Sequence, residues 1–291
     1  MQPNNDFLGL NNFVWFHGVV EDRNDPLKLG RIRVRIFGWH TENKNLVPTS
    51  SLPWAMPVQA ITSAATSGVG QSPTGPVEGT WVIGFFQDGG DGQIPIILGT
   101  TGGIPSSENS QTGFSDPNGK YPRYTGEPDT NPRARNEGVE KRTDQKKVTS
   151  AFGASWTEPS DPYAAVYPYN HIYESESGHV QEYDDTTGNE RTFKKHRTGT
   201  FEEVHPDGSR VTKIVANDYE IVAEDKNVWI KGVCNITVDN TCNMKVKEFN
   251  LEVENDMNVK IGGNYEENVG GDQTTQVSGS IDIDGSRVDI N

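Results

Sequence analysis

Residues 228–279 read VWIKGVCNITVDNTCNMKVKEFNLEVENDMNVKIGGNYEENVGGDQTTQVSG, and apolar residues recur through this stretch at a fixed spacing. These residues, called anchors below, fall eight apart except for a single step of seven between Val246 and Val253. The row begins at Ile214 and Val222, and its later members are Ile230, Val238, Val246, Val253, Ile261, Val269 and Val277. A repeat of eight residues, or octad, is too short for a helical hairpin, so it predicts one short strand and one corner.

Two further positions of each octad share the face of the anchor. Alternate residues of a strand point the same way, so the residues two and four places before an anchor lie beside it. Two places before stand Val228, Ile236, Met244, Leu251 and Val259, and four places before stand Cys234, Cys242, Phe249, Met257 and Tyr265. A glycine supplies the backbone of a corner without a Cβ clash, and glycine stands two places after four anchors, at Gly232, Gly263, Gly271 and Gly279.

Three inward residues per strand do not close a core around one chain. Three chains wound together enclose such a core, with the apolar rows on a threefold axis and every strand paired with another chain. The alternative is a solenoid of a single chain, in which each repeat contacts its own neighbours. The trimer is favoured because eight residues are too few for a solenoid coil with three faces of its own. Residues 226–291 are therefore predicted to form a needle, a triple-stranded β-helix.

Residues 1–104 are predicted to form a compact β-domain. Five apolar or alternating runs, NFVWFHGVVED, GRIRVRIFGWH, PWAMPVQA, GTWVIGFFQDGG and IPIILGTTGG, are separated by Gly, Pro and Asp clusters. Five strands in about 100 residues, without a helical period, favour a small Greek-key barrel of the OB-fold type. In the second run apolar residues alternate with arginines, which predicts one buried face and one solvated face that carries Arg31, Arg33 and Arg35.

Two segments of different character lie between this domain and the needle. Residues 105–170 are polar, rich in Pro and Gly and aperiodic, and they predict an extended linker. Residues 171–225 contain GHVQEYDD, ERTFKKH, GTFEEVH and RVTKIV, which predict a β-meander that leads into the needle. Asp207-Gly208 is a tight-turn signal within it. The predicted fold is all-β, an OB-fold barrel followed by an intertwined trimeric β-helix, or β-prism, with octad repeats.

Composition and charge narrow the classes of function. The 291 residues carry a formal net charge of −15, which disfavours nucleic-acid binding because that affinity rests on Lys and Arg. The same charge disfavours adsorption to anionic membranes, and no apolar run is long enough for a transmembrane helix. The N-terminus lacks the basic and apolar regions of a signal peptide, so we expect synthesis in a cytoplasm. Only 32% of residues are hydrophobic, which favours oligomeric β-structure over one large core.

No motif for a cofactor, a metal ion or a catalytic group stands out. Cys234 and Cys242 do not make a disulfide framework and have no neighbouring His ligands, so we expect small buried hydrophobes instead of a zinc site. Glycoside hydrolysis needs two carboxylates across a cleft. The predicted linker supplies no cleft for its carboxylates, which are Glu108, Glu127, Asp129, Glu137 and Glu140. The prediction is a protein without enzymatic activity, cofactor or bound metal.

Three stretches together resemble a known family. GRIRVRIFGWH, PWAMPVQA and GTWVIGFFQDGGDGQIPIILG resemble the OB-fold of phage baseplate spike proteins of the baseplate-assembly V type. The stretch from PYNHIYESES to VTKIVANDYEIV resembles the start of the β-prism in those spikes and in VgrG proteins, and the octads resemble the [V]-x-G needle of T-even-type spikes. The order of these parts carries the resemblance, because an OB-fold alone says nothing about function.

The resemblance implies a structural role. A central spike of this family is expected in the tail baseplate of the virion, where tail contraction drives the needle through the host outer membrane. The implied partners are two further copies of the chain, a PAAR-type tip protein at the C-terminal end, and a baseplate hub protein at the barrel end. Arg31, Arg33 and Arg35 are the candidate hub contacts. A type VI secretion spike of the VgrG kind and a β-helical polysaccharide-degrading tail fibre are the alternatives.

Two departures from the family pattern matter. T-even-type spikes carry a lysozyme domain between barrel and needle, whereas about 60 polar residues here are too few for a lysozyme of ordinary domain size. VgrG proteins carry a large domain before the OB-fold, whereas only a short segment precedes the first predicted strand here. Both departures favour a phage spike that lacks the lysozyme domain and docks onto a separate hub protein.

Overall fold

A computed structural model shows the fold and describes residues 13–64, 66–104, 116, 119–121 and 124–289. Within these residues almost all regular structure is β-strand. The single α-helix of this described part, α1 (Pro132–Arg135), has four residues. The all-β prediction is therefore confirmed.

The chain divides into two units, and the first, Met1–Cys234, contains a closed barrel. The barrel strands are β1 (Val14–Asp22), β2 (Ile32–Ile36), β3 (Trp54–Pro57), β4 (Trp81–Phe86) and β5 (Pro95–Thr101). They close in the order β1-β2-β3-β5-β4, with β4 paired to β1. All pairs are antiparallel except β3 with β5. Five strands in such a barrel are the arrangement of an OB-fold, and each lies in one of the five predicted runs.

Alternate residues of these strands fill the barrel, and a glycine lets two strands approach. The buried cluster comprises Phe16, Val20, Ile32, Val34, Ile36, Ala55, Val82, Phe86 and Ile97. At Gly84 of β4, an added Cβ would lie 2.1 Å from the carbonyl oxygen of Ile96 and 2.7 Å from the ring of Phe16. The pairing of β4 with β5 shifts register at the same place. A side chain at this position would force β5 away and open the barrel.

The arginine face of β2 is not solvated as predicted. Arg35 is completely buried, and its guanidinium donates to the two carboxylate oxygens of Glu21 at 2.6 and 2.9 Å. The segment after β2 supplies two further acceptors, the carbonyl oxygens of Thr41 and Val47. The prediction of a solvated Arg35 is wrong. Strand alternation shows only that Arg35 points away from the inside of the barrel, and here the segment after β2 covers that outer face.

A five-stranded antiparallel sheet, the meander, follows in the same unit. Its strands lie side by side in chain order: β8 (Asn170–Glu174), β9 (Val180–Asp184), β10 (Arg191–Lys195), β11 (Phe201–Val204) and β12 (Arg210–Lys213). Val180, Phe193 and Phe201 are buried on one face. The β11–β12 hairpin has a three-residue loop that ends in Gly208 at φ +83°, next to the Asp207 that predicted the turn.

The segment that covers this buried face belongs to the predicted linker. It contains α1 and a hairpin of β6 (Lys147–Thr149) with β7 (Ser155–Thr157). Tyr163 and Ala165 are each 1% exposed, and the Tyr163 hydroxyl donates to the carbonyl oxygen of Arg133 in α1. The described part of this segment therefore contributes to the core of the first unit, whereas its polar and aperiodic sequence predicted an extended linker.

Candidate functional site

The backbone bends immediately after every anchor from Ile214 to Val277. No turn or bend interrupts the residues between these corners. The bends lie at residues 215–216, 223–224, 231–232, 239–240, 247, 254–255, 262–263, 270–271 and 278–279. The predicted corner glycines each occupy the second residue of a bend, at Gly232, Gly263, Gly271 and Gly279. The spacing of the anchors in the sequence is thus the spacing of the corners in the backbone.

The seven-residue step falls in a corner. The bend after Val246 involves Lys247 alone, whereas the bends before and after it involve two residues each. A residue missing inside a strand would turn every later side chain to the opposite face, yet Leu251 and Val253 continue the inward alternation. The missing residue therefore belongs to the corner at Lys247-Glu248, and the register of the apolar row is preserved.

Within one chain the apolar rows are open. The anchors from Ile230 onward are between 44% (Val253) and 56% (Val246) exposed. The apolar residues two places before these anchors are even more exposed, from 58% at Leu251 to 80% at Ile236. Soluble monomers rarely expose a contiguous apolar surface of more than a few hundred Å². Rows of this length are therefore surfaces that need to be covered.

The backbone of the same segment also lacks ladder partners. Residues 214–289 all belong to the described part of the chain, and none of them pairs in a β-ladder within the chain. Backbone N–H and C=O groups are nearly always paired when they are buried. Covering the apolar rows would bury these groups, so the covering element has to supply strands as well as apolar side chains.

Outward positions of consecutive octads form chemically matched rows, which the search for apolar residues missed. Aligning the octads by their anchors finds them. Asparagine stands three places before five consecutive anchors, at Asn227, Asn235, Asn243, Asn250 and Asn258. One place before three consecutive anchors stand Lys245, Glu252 and Lys260, whose charges alternate. Stacked strands are stabilised by amide ladders and by opposite charges on neighbouring strands, so both rows fit octads that stack in sequence.

A cluster of charged residues joins the barrel to the meander within the first unit. Arg23, just after β1, lies with its Nε 3.2 Å from a carboxylate oxygen of Glu78. Its Nη2 donates to Glu176 of the β8–β9 loop at 3.0 Å and to the Tyr121 hydroxyl at 3.1 Å. The hydrogen bond from Arg23 lowers the pKa of the Glu176 carboxyl, and burial raises the pKa of Tyr121. One guanidinium thus ties a barrel strand to a meander loop.

A second charged cluster is buried between the meander sheet and the segment that covers it. Arg191 of β10 is completely buried; its Nη1 donates to Glu203 of β11 at 2.9 Å, and its Nη2 pairs with Glu182 of β9. Arg133 reaches the same Glu182 at 2.8 Å, and Arg142 pairs with Glu203. Each of the two buried carboxylates therefore has two guanidinium partners.

Aromatic rings pack on the guanidinium groups of this cluster. The Arg191 guanidinium lies 5.0 Å from the ring centre of Tyr163, and that of Arg142 lies 4.2 Å from the ring centre of Phe201. Burial raises the pKa of the Tyr163 hydroxyl. The cluster links strands β9, β10 and β11 to the segment that covers them, so it is suited to holding the sheet together.

The outer surface of the barrel carries an exposed aromatic surface, defined by Phe13, Trp15, Met56, Phe85 and Leu98. The ring of Phe13 lies 4.9 Å from that of Trp15 and 5.0 Å from that of Phe85, measured between centres. Trp15 is 55% exposed, and Met56 and Leu98 continue the apolar surface across β3 and β5. The three rings lie at the end of β1 opposite to its contact with the meander.

Comparison with known proteins shows which proteins the chain is similar to. The model of the Gp5 N-terminal OB domain matches residues 38–175, which run from the end of β2 to β8. Protein Gp5 of Vibrio phage KVP40 is 46% identical over 273 residues, covering 80% of this chain. The pre-baseplate central spike protein Gp5 of Enterobacteria phage T4 is 54% identical over 127 residues, covering 42% of this chain. Over these matched lengths the chain is similar to the T4-type central spike proteins.

This relationship confirms the resemblance to contractile-tail spikes. The chain spans 65% of the length of the Vibrio phage protein and 22% of the length of the T4 protein. The match to an OB-domain model agrees with the closed five-stranded barrel. The partners and activities of a whole T4-type spike are therefore proposals for this chain, to be argued from its own residues.

The three arginines predicted as hub contacts do not form an open positive face. Arg31 pairs with Asp25 through two hydrogen bonds at 3.1 and 2.6 Å. The Arg33 guanidinium lies 4.5 Å from the ring centre of Trp54, and its side chain is 17% exposed. Arg35 is buried with Glu21 as described above. Arg31 and Arg33 lie on the outer surface of the barrel but are already occupied by partners of the same chain.

The carboxylates considered as catalytic candidates are engaged or exposed where they are described. Glu127 and Glu137 both pair with Arg135. Asp129 accepts a hydrogen bond from a backbone N–H just after β5, at 3.0 Å, and Glu140 is exposed. These contacts hold the segment in place.

Glu108, the remaining carboxylate of that set, lies outside the described residues. In the part of the chain that the structure describes, no three side chains of His, Cys, Asp or Glu are grouped to hold a metal ion. Over the same residues, no helix has the length and apolar character needed to cross a membrane.

Proposed function

We propose that the chain is a structural subunit of the central spike in a phage tail baseplate, and that three copies wind together through their octads. The observation that carries the proposal is the row of half-exposed anchors with a backbone corner after each one. The relationship to the T4 pre-baseplate central spike protein supports the place of assembly. The virion baseplate is then the final location, after synthesis in the host cytoplasm.

Threefold symmetry decides which octads stack, and it separates the trimer from a solenoid. In an intertwined trimer each corner carries a chain to the next face, so octad n lies under octad n+1 of a neighbouring chain. In a solenoid with three faces, octad n lies under octad n+3 of the same chain. Lys245 therefore meets Glu252 in the trimer and Asn268 in the solenoid. The alternating charges favour the trimer, because opposite charges on neighbouring strands stabilise a sheet.

An intertwined shaft has the mechanical properties of a needle. Each strand pairs with other chains, so bending the shaft breaks many hydrogen bonds at once. Each octad advances one strand spacing of roughly 4.8 Å, and nine octads give a shaft of about 43 Å. Driven by tail contraction, such a shaft punctures the host outer membrane. A PAAR-type tip protein would close its C-terminal end.

The barrel is the proposed docking end for the baseplate hub protein. The end of β1 near Arg23 is already joined to the meander, which leaves the aromatic surface at the other end free for a partner. Exposed Trp and Phe side chains are typical of the buried centre of protein interfaces. Arg31 and Arg33 are partly exposed on the barrel. They would add only polar contacts to the hub, because Arg31 already pairs with Asp25 and Arg33 already packs on the ring of Trp54.

Replacing Trp15 by Arg is expected to weaken binding of the full chain to its hub about tenfold or more, because aromatic anchors contribute about 2 kcal/mol at interface centres. Biolayer interferometry with the immobilised hub protein measures the effect. The matched control is Tyr173→Arg, which changes an aromatic residue of the meander that is 67% exposed. Loss of binding in the control alone, or equal binding by both variants, would contradict docking by the aromatic surface.

The chain is also proposed to have no muramidase activity, although T-even-type spikes carry a lysozyme domain. Purified protein is expected to leave the turbidity of a peptidoglycan suspension unchanged, because Glu127 and Glu137 are both ion-paired with Arg135, whereas glycoside hydrolysis needs two carboxylates placed across a cleft. A known lysozyme serves as the positive control. Clearing of the suspension that disappears in a Glu127→Gln or Glu137→Gln variant would show that the segment after the barrel is catalytic.

A further inference from the structure

The two cysteines of the chain occupy the same position of consecutive octads. Cys234 stands four places before the anchor Val238, and Cys242 stands four places before the anchor Val246. One backbone corner, at residues 239–240, lies between them. Both thiols are free and exposed in the single chain. Two cysteines in equivalent positions of a regular repeat come together wherever their octads stack.

We propose that Cys234 of each protomer forms a disulfide with Cys242 of a neighbouring protomer, giving three bonds that close the spike covalently. The inference rests on the proposed trimer, in which octad n lies under octad n+1 of another chain. Equivalent positions on stacked strands are about 4.8 Å apart. Cα atoms joined by a disulfide are usually about 4.4–6.8 Å apart, so the spacing of the strands fits the bond.

The same pair does not meet in a single-chain solenoid. There octad n stacks on octad n+3. The residue of octad n+3 that lies above Cys234 stands four places before its own anchor, Ile261, and is Met257. Above Cys242 it is Tyr265. An interchain bond between positions 234 and 242 is therefore specific to the intertwined arrangement.

The bond forms by two thiol–disulfide exchanges with a small-molecule disulfide as oxidant. The Cys234 thiolate attacks the oxidant, which releases one small thiol and leaves a mixed disulfide. The Cys242 thiolate of the neighbour then attacks the Cys234 sulfur and releases the second small thiol. The two protein thiols are oxidised, and the small disulfide is reduced to two thiols. Cytoplasmic glutathione keeps thiols reduced, so the shaft becomes covalent only where the surroundings are oxidising.

Because each protomer contributes one cysteine to each of two neighbours, three bonds link all three chains. The thiol pair thus adds to the packing of the shaft a cross-link that withstands unfolding. In the reduced state both side chains still act as small apolar residues of the inward face.

The test compares full-length protein produced in a reducing and in an oxidising bacterial cytoplasm. Denaturing gels without reductant are expected to show a covalent trimer only in the oxidised sample, with no free thiol titrated by Ellman's reagent in denaturant. Cys234→Ser and Cys242→Ser should each abolish every cross-linked band. Co-expression of the two variants should give covalent dimers and no covalent trimer, because each then supplies one half of the pair.

Each other outcome overturns the inference. Cross-linked dimers in either single variant would show that identical cysteines of different chains bond to each other, so the bond does not join position 234 to position 242. Thiol loss without a change in mass would show an intrachain bond. Trimers by sedimentation whose thiols stay free would leave the proposed spike intact and remove the disulfide. A protein that sediments as a monomer would remove both.

Discussion

The Val253→Asp variant is expected to lose its trimer at temperatures at which the parent assembly is intact. Val253 is the least exposed anchor of the last segment, and it is the first anchor after the seven-residue step. In the proposed trimer three carboxylates would meet on an apolar axis. An uncompensated buried charge costs several kcal/mol per ion, so three of them exceed what one octad contributes by packing. Thermal unfolding followed by circular dichroism, with sedimentation at each temperature, measures the loss.

Two controls separate this effect from general damage to the segment. Glu252→Asp changes the neighbouring outward residue and should leave the melting temperature close to that of the parent. Insertion of a glycine after Glu248 restores an eight-residue step in the corner and should also be tolerated, because the strand register on either side is unchanged. If Val253→Asp melts like the parent, Val253 does not face the axis and the assignment of the inward rows is wrong.

The Arg191→Met variant is expected to destabilise the first unit by about 3–5 kcal/mol, because removing one partner of a buried ion pair leaves charge without compensation. Glu182 and Glu203 are 1% and 0% exposed, and each would keep a single guanidinium partner. Methionine has a volume similar to that of arginine, so the loss of stability reflects the missing charge more than a change in packing. Guanidinium unfolding monitored by tryptophan fluorescence gives the difference in free energy.

Arg210→Met is the matched control, since Arg210 lies on β12 and pairs with Glu202 at 3.1 Å on the exposed side of the sheet. An exposed ion pair contributes about 0.2–1 kcal/mol, so this variant should unfold nearly as the parent does. Equal stability of the two variants would mean that water reaches Arg191 and that the cluster is not part of the core.

The parts of the fold that follow from local pattern were predicted from the sequence. The octads repeat one strand and one corner, and the bends appear after the anchors Ile230, Val238 and Val246 as their spacing requires. The barrel strands and the meander strands were found for the same reason, because apolar alternation and Gly-marked turns are properties of adjacent residues. The corner at Lys247 was found because losing a residue elsewhere would have broken the alternation.

The buried charges depend on contacts between distant segments, and the sequence did not predict them. Strand alternation places Arg35 outside the barrel, but only the folded chain shows that Glu21 and the carbonyl oxygen of Val47 enclose it. Glu182 and Arg191 alternate with apolar residues on the covered face of the meander, which was a usable signal. It was missed because charged residues are expected at the surface unless a partner is known.

The same limit applies to the functional surfaces. The row of arginines on β2 was the visible charged feature of the barrel, yet Asp25 and Trp54 occupy two of the three and the third is buried. The aromatic surface was hidden in the sequence because Phe13 and Phe85 are far apart in the chain and meet only through the pairing of β1 with β4. The inward rows of the octads are the opposite case, since one repeat specifies the next.

The assembly state of the full chain tests the central claim most directly. The anchors are exposed and residues 214–289 form no β-ladder within the chain, so strands from outside the chain are expected to cover them, and the proposed threefold winding would supply such strands. Sedimentation equilibrium of the purified protein is predicted to give about three times the chain mass of 32.1 kDa. A stable monomer of 32.1 kDa would contradict the account, because the apolar rows from Ile230 to Val277 would then be covered by the chain itself or not at all.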